Sequence, residues 1–147
     1  LQPTSQLDEL VTNLSAIRIQ VKASPESLDV SVPDVLGVLA LEELLRNAVT
    51  VAGVARRKHG AQFRIDLSAK PGFLEISNTC PVEYAGAVQK PVTEPSGRDG
   101  WGRFATQVTL DRYRIGIRWD FDYSGHNPDN HIGRALCQLH WTVAPNQ

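Results

Sequence analysis

Apolar positions along this chain recur at two spacings. Steps of three and four mark helices, and strict alternation marks strands. Leu7, Leu10, Val11 and Leu14 predict a short amphipathic helix over 4–16. Ile17 to Val21 alternates as a strand, and Leu28 to Val32 reads as another after the Ser24-Pro25 turn. Pro33 suits the first turn of a long helix that runs to about Lys58 and is ended by Gly60. Its predicted buried stripe is Val38, Leu41, Leu45, Ala48 and Ala52.

Further on, Phe63, Ile65 and Leu67 alternate with Gln62, Arg64 and Asp66, which predicts a half-buried strand over 61–68. Pro71-Gly72 is a turn signal, and Phe73 to Ser77 answers as the antiparallel partner, with Asn78 at its end. Residues 81–100 carry Pro81, Pro91 and Pro95 and no apolar period, so they read as a mostly irregular, mobile loop. A glycine-rich turn over 97–102 then opens into a helix through Phe104, Val108 and Leu110 to about Arg112. A strand over Arg114–Tyr123, a turn over 124–130 and a last strand over Ala135–Val143 complete the chain. This order predicts one domain, an α/β two-layer sandwich whose mixed, largely antiparallel sheet carries helices on one face.

Composition narrows the class. At 147 residues, 41% hydrophobic and 21% charged, the chain is that of an ordinary globular domain with one core. A net charge of −1 argues against nucleic acid as a partner. The run Arg56-Arg57-Lys58-His59 complements the C-terminal end of the long helix. No apolar run of about 18 residues and no secretory leader are visible, so a cytoplasmic location without membrane contact is expected for this segment, with a membrane anchor elsewhere in the full-length protein left open. Cys80 and Cys137 have no metal-ligand spacing and read as reduced core thiols. Methionine is absent even at position 1, which leads us to expect part of a longer polypeptide.

Two constellations carry chemistry. Glu43 and Asn47 stand four apart, off the apolar stripe, and about 40° apart around the helix axis. Such a pair polarises a water and holds a magnesium ion bound to phosphates; on its own it is equally a solvated helix face. Gly97, Gly100 and Gly102 precede a helix, where backbone N–H groups approach phosphate oxygens and the helix terminus favours negative charge. Alone, that pattern is better read as a plain loop with a glycine helix start.

In this order, from Leu28 to Val143, the pieces resemble the GHKL superfamily of ATP-binding domains, and within it the catalytic domain of sensor histidine kinases. Leu41-Glu42-Glu43-Leu44-Leu45-Arg46-Asn47-Ala48-Val49 is similar to the family's N box, Leu74–Thr79 to the approach to its first glycine box, and Gly97–Gly102 to its second. The resemblance implies ATP and Mg2+ as cofactors, with Glu43 as catalytic base and Asn47 as metal ligand. It implies nucleotide contacts at Asn78, Thr79, Gly97, Arg98, Gly100, Trp101, Gly102 and Arg103, under a lid formed by the loop before the second box. The implied partners are a dimerisation and phosphoacceptor domain of the same protein, in a homodimer, and a response regulator.

The chain also departs from the family pattern. Asn78-Thr79-Cys80-Pro81-Val82 stands where the first box commonly has an Asp and two glycines, and Thr50 where histidine kinases often carry Lys. None of His59, His126, His131 or His140 lies in an amphipathic helix followed by an acid, so the acceptor histidine is expected elsewhere. Two alternatives stand beside this reading: a degenerate module that binds nucleotide or a protein without turnover, and an anti-sigma-type serine kinase.

Overall fold

The structure is a computed structural model that describes residues 17–24, 30–93, 97–123 and 131–143, with the backbone alone at 97–101. The helix expected over 4–16 and the turn expected over 124–130 lie outside the described residues.

Five strands form one sheet in the order β1-β2-β3-β5-β4. They are β1 (Ile17–Lys22), β2 (Phe63–Lys70), β3 (Phe73–Pro81), β4 (Gly116–Asp122) and β5 (Ile132–His140). β1 pairs in parallel with β2, and all other pairings are antiparallel. Helices α1 (Asp34–His59), α2 (Ala85–Gln89) and α3 (Gly97–Arg112) complete the described elements, with a 3-10 turn at Val82–Tyr84. Among the described residues no helix is long and apolar enough to cross a membrane.

α1 is closed by Gly60, whose φ of +65° is left-handed and whose N–H bonds the Arg56 carbonyl at 2.9 Å. Its buried face is Ala40, Leu44, Ala48, Ala52 and Ala55. That face is turned by roughly 60° from the predicted stripe, at about 100° per residue. Val38 is 63% exposed, whereas Leu41 and Leu45 only flank the core. The cause is size: four alanines let the helix axis lie close to the sheet, which a face of larger side chains would hold off. The turn also carries Glu43 away from the solvent side, towards α3.

The main core joins α1 to Ile65, Leu74, Ile76 and Leu139 of the sheet, and to Leu110 and Ile115. A second cluster packs Cys80, Ala85 and Phe121, with Val51 and Val88 against it. The opposite sheet face is polar. There Asp66 accepts from Arg64 at 2.7 Å and from Arg134 at 3.0 Å, and Glu75 accepts from Gln138 at 2.8 Å. The mixed, largely antiparallel sheet with helices on one face is therefore as predicted.

Several boundaries differ from expectation. Residues 30–32 are not a strand; Val30 and Val32 pack sideways onto the main core instead of pairing. β3 continues past Ser77 to Pro81 because β5 supplies a partner throughout, with Asn78 opposite Ala135 and Cys80 opposite Gly133. Asn78 thus lies inside a strand rather than at its end. The stretch 81–100 is not mostly irregular: it contains the 3-10 turn, α2 and the start of α3. Arg114 takes φ 59°, a left-handed value that closes α3 and delays β4 to Gly116.

Gly72 has φ +80°, and a Cβ there would lie 2.9 Å from the Trp141 carbonyl oxygen. Gly72→Ala is expected to lower stability by about 1–3 kcal/mol through backbone strain and this contact. Urea unfolding checks it, and an unchanged midpoint would show that the turn relaxes freely.

Candidate functional site

α1 and α3 lie side by side on the sheet, and their facing flanks border an open cavity of about 320 Å³. Leu36, Leu39 and Ala40 from α1 and Ala105 from α3 make its apolar walls. Glu42, Glu43, Arg46, Thr106 and Thr109 supply the polar ones. Glu43 is held between the helices, with its side chain 26% exposed and Oε2 3.6 Å from Arg46 Nη1, one turn along. On its other side is Gly102, where an added Cβ would collide with the Glu43 carboxylate. A side chain at this position would displace the Glu43 carboxylate from its place between the helices. The pairing of Glu43 with the glycine-rich segment is therefore a structural fact, although 59 positions separate them in the chain.

That segment is helical rather than a loop. α3 begins at Gly97, so its free N–H groups belong to residues 97–100. Three glycines each cost a helix about 1 kcal/mol relative to Ala, which is why the sequence read as a turn. Packing against α1 overrides that preference. Nothing is described for the Arg98 and Trp101 side chains.

Asn47 lies one turn beyond Glu43 on α1 and is half-buried. It is not among the walls of the cavity at Glu43. Thr50 donates its hydroxyl to the Arg46 carbonyl at 2.9 Å, closing a local bond on the helix. Magnesium held mainly by phosphates and waters needs one or two protein oxygens. The oxygens of Glu43 and Asn47, neighbours at i and i+4, fit that need. Among the described residues no cluster of three His, Cys, Asp or Glu could hold a metal alone.

Asn78 and Thr79 are consecutive in a strand and face opposite sides of the sheet. Asn78 is 6% exposed, and its Nδ2 donates to the Thr79 carbonyl at 2.9 Å. The Thr79 hydroxyl donates to the Gln62 carbonyl at 2.9 Å and accepts from the Arg64 N–H at 3.2 Å. It ties β3 to the start of β2, and its strand position turns it away from the face that Asn78 shares with α1.

Arg103, expected at the nucleotide, is engaged elsewhere. Nη1 and Nη2 donate to the Ala87 and Val88 carbonyls at 3.2 and 3.1 Å, and the guanidinium lies 4.3 Å from the centre of the Trp119 ring. Burial lowers its pKa, with a nearby Cys137 acting in the opposite sense. No sequence signal pointed to Trp119, because its partner is set by the packing of α3 on β4. Arg46 was legible as the i+3 neighbour of Glu43 but was not singled out.

No protein-family model and no curated protein matches the chain. Its fold does match solved structures. One is a mycobacterial sensor histidine kinase, MprB, with a TM-score of 0.51 and 16% identity over 93% of this chain and 90% of that one. Another is the cytoplasmic segment of the histidine kinase QseC, with a TM-score of 0.55 and 14% identity over 96% and 72%. At such identities the likeness is one of fold: the chain has the histidine-kinase type of catalytic ATPase fold.

Proposed function

We propose that this chain, folded as a histidine-kinase type of catalytic domain, binds magnesium and ATP and passes the γ-phosphate to a histidine on a separate dimerisation domain. The observation that carries the reading is the apposition of Glu43 on α1 to Gly102 in α3, beside a cavity. It joins the two sequence constellations that nucleotide chemistry needs. Phosphoryl transfer depends mainly on positioning and charge neutralisation. Glu43 orients or deprotonates the attacking nitrogen, and Asn47 holds the metal that bridges the phosphates. Asn78 Oδ1 accepts from the adenine amino group. The N–H groups of Gly97, Arg98 and Gly100, at the start of α3, take phosphate oxygens, whereas those of Trp101 and Gly102 lie within the helix ladder and contribute only through the helix terminus. The partners are the acceptor domain of a homodimeric protein and a response regulator, in the cytoplasm.

A second reading, a module that binds without turnover, is favoured by the strand between Asn78 and Pro81. Cys80 is fully buried and Asn78 nearly so, and no glycine opens the backbone there. Titration with ATP, with and without magnesium, tests the binding on which the proposal rests, and transfer to an added acceptor domain separates it from a module that binds nucleotide without turnover. Magnesium-dependent binding is expected for the wild type and at least about tenfold weaker binding for Asn47→Ala, as for lost second-shell or ligand groups in metal sites. A wild-type chain that binds no nucleotide sinks the proposal.

A further inference from the structure

α2 has only five residues, and a helix that short cannot sustain itself, because nucleation is costly and few bonds follow. It is held from outside. Its late carbonyls, at Ala87 and Val88, take the two terminal nitrogens of Arg103, at 3.2 and 3.1 Å. These are carbonyls that a short helix leaves without backbone donors. The same guanidinium stacks 4.3 Å from the centre of the Trp119 ring on β4. One turn along α3, Gln107 Nε2 donates to the Val92 carbonyl at 3.0 Å. Gln89 Nε2 meets Asp120 Oδ1 at 3.0 Å on the β4 side. Beneath, Ala85 and Val88 pack with Cys80, two residues beyond Asn78 in β3. Arg103 makes these contacts at a cost, since its buried Nε has no hydrogen-bond partner.

We infer that Arg103 is a positioning residue: it caps α2 and clasps residues 85–92 to α3 and β4, fixing the start of α3 relative to the Asn78 end of β3. This rests on the proposed nucleotide reading for its consequence, because these two ends would hold the phosphates and the adenine. An arginine is needed because a planar fork can meet two carbonyls while its face lies on an indole. Lysine reaches one carbonyl and offers no plane.

Hydrogen exchange tests the clasp without any nucleotide. Arg103→Gln is expected to speed amide exchange over 85–92 by about 10- to 100-fold, the effect of losing charged hydrogen bonds and a stacked ring. Amides of β2 and β3 should exchange as in the wild type, and Arg103→Lys should fall between the two. Dissociation constants for magnesium-ATP should follow the same order, weakest in Arg103→Gln. Unchanged exchange over 85–92 overturns the inference, and so does acceleration spread evenly over the whole molecule. If Arg103→Gln does not fold, Arg103→Lys decides alone: exchange over 85–92 equal to wild type overturns the clasp. Absence of ATP binding by the wild type would sink the nucleotide reading, and the exchange result would still decide what Arg103 holds.

Discussion

Glu43→Gln is expected to slow phosphoryl transfer to an added histidine acceptor domain by about 10²–10⁴-fold, the usual worth of a general base. Gln keeps the reach and the hydrogen-bonding shape of the side chain and loses only its capacity to take a proton. Glu43 is half-buried beside Gly102, and the other acid in the cavity walls, Glu42, is exposed. Magnesium-ATP affinity should stay within about threefold, because binding rests on Asn47 and the start of α3, and interactions made only in the transition state affect rate rather than affinity. Single-turnover transfer measured beside a binding titration gives both numbers. Equal rates for wild type and variant would show that Glu43 is not the base.

The second large effect concerns the thiols. Cys80 is fully buried, and burial pushes its pKa up from 9.0 to about 12. Cys137 is pushed to about 12 by the same cause, with Arg103 opposing. Both are free, and they sit four positions apart along the β3–β5 ladder, since Cys80 pairs with Gly133 and Cys137 with Ile76. A disulfide between them is sterically out of reach.

The thiolate is the reactive form, and raising the pKa from 9.0 to about 12 lowers its fraction roughly 10³-fold at pH 8. The native chain is therefore expected to react with a thiol reagent at least about 10³-fold more slowly than the chain in denaturant. Comparable rates in both conditions would mean that this part of the sheet opens readily. The same shift sets a pH effect. Below about pH 8 both thiols are almost wholly neutral in folded and unfolded chains, so stability is nearly untouched there. Between pH 9 and 12 the unfolded chain loses protons that the folded one keeps, and stability falls by about 1.4 kcal/mol per pH unit for each thiol.

Periodicity and punctuation were enough for much of the architecture. Alternation in 63–67 and 115–121 located β2 and β4, and Gly60 and Pro71-Gly72 marked the end of α1 and the turn after β2. These are local signals: a left-handed φ or a two-residue repeat depends on the residues themselves. The strand order, with β5 between β3 and β4, is not local, because it pairs segments more than fifty residues apart.

Of the candidate site, Glu43, Asn47 and the glycines were legible as residue types suited to phosphate and metal. Which of them meet was not. The rotation of α1 onto its alanine face, set by how closely small side chains let it approach the sheet, brought Glu43 to Gly102. Strand alternation within a β3 longer than expected turned Thr79 away from Asn78, and the approach of α3 to β4 committed Arg103 to Trp119 and the carbonyls of α2. Residue chemistry was determined by the sequence alone. Its arrangement was decided by tertiary packing, because side-chain direction depends on helix rotation and strand register that no short window of sequence contains.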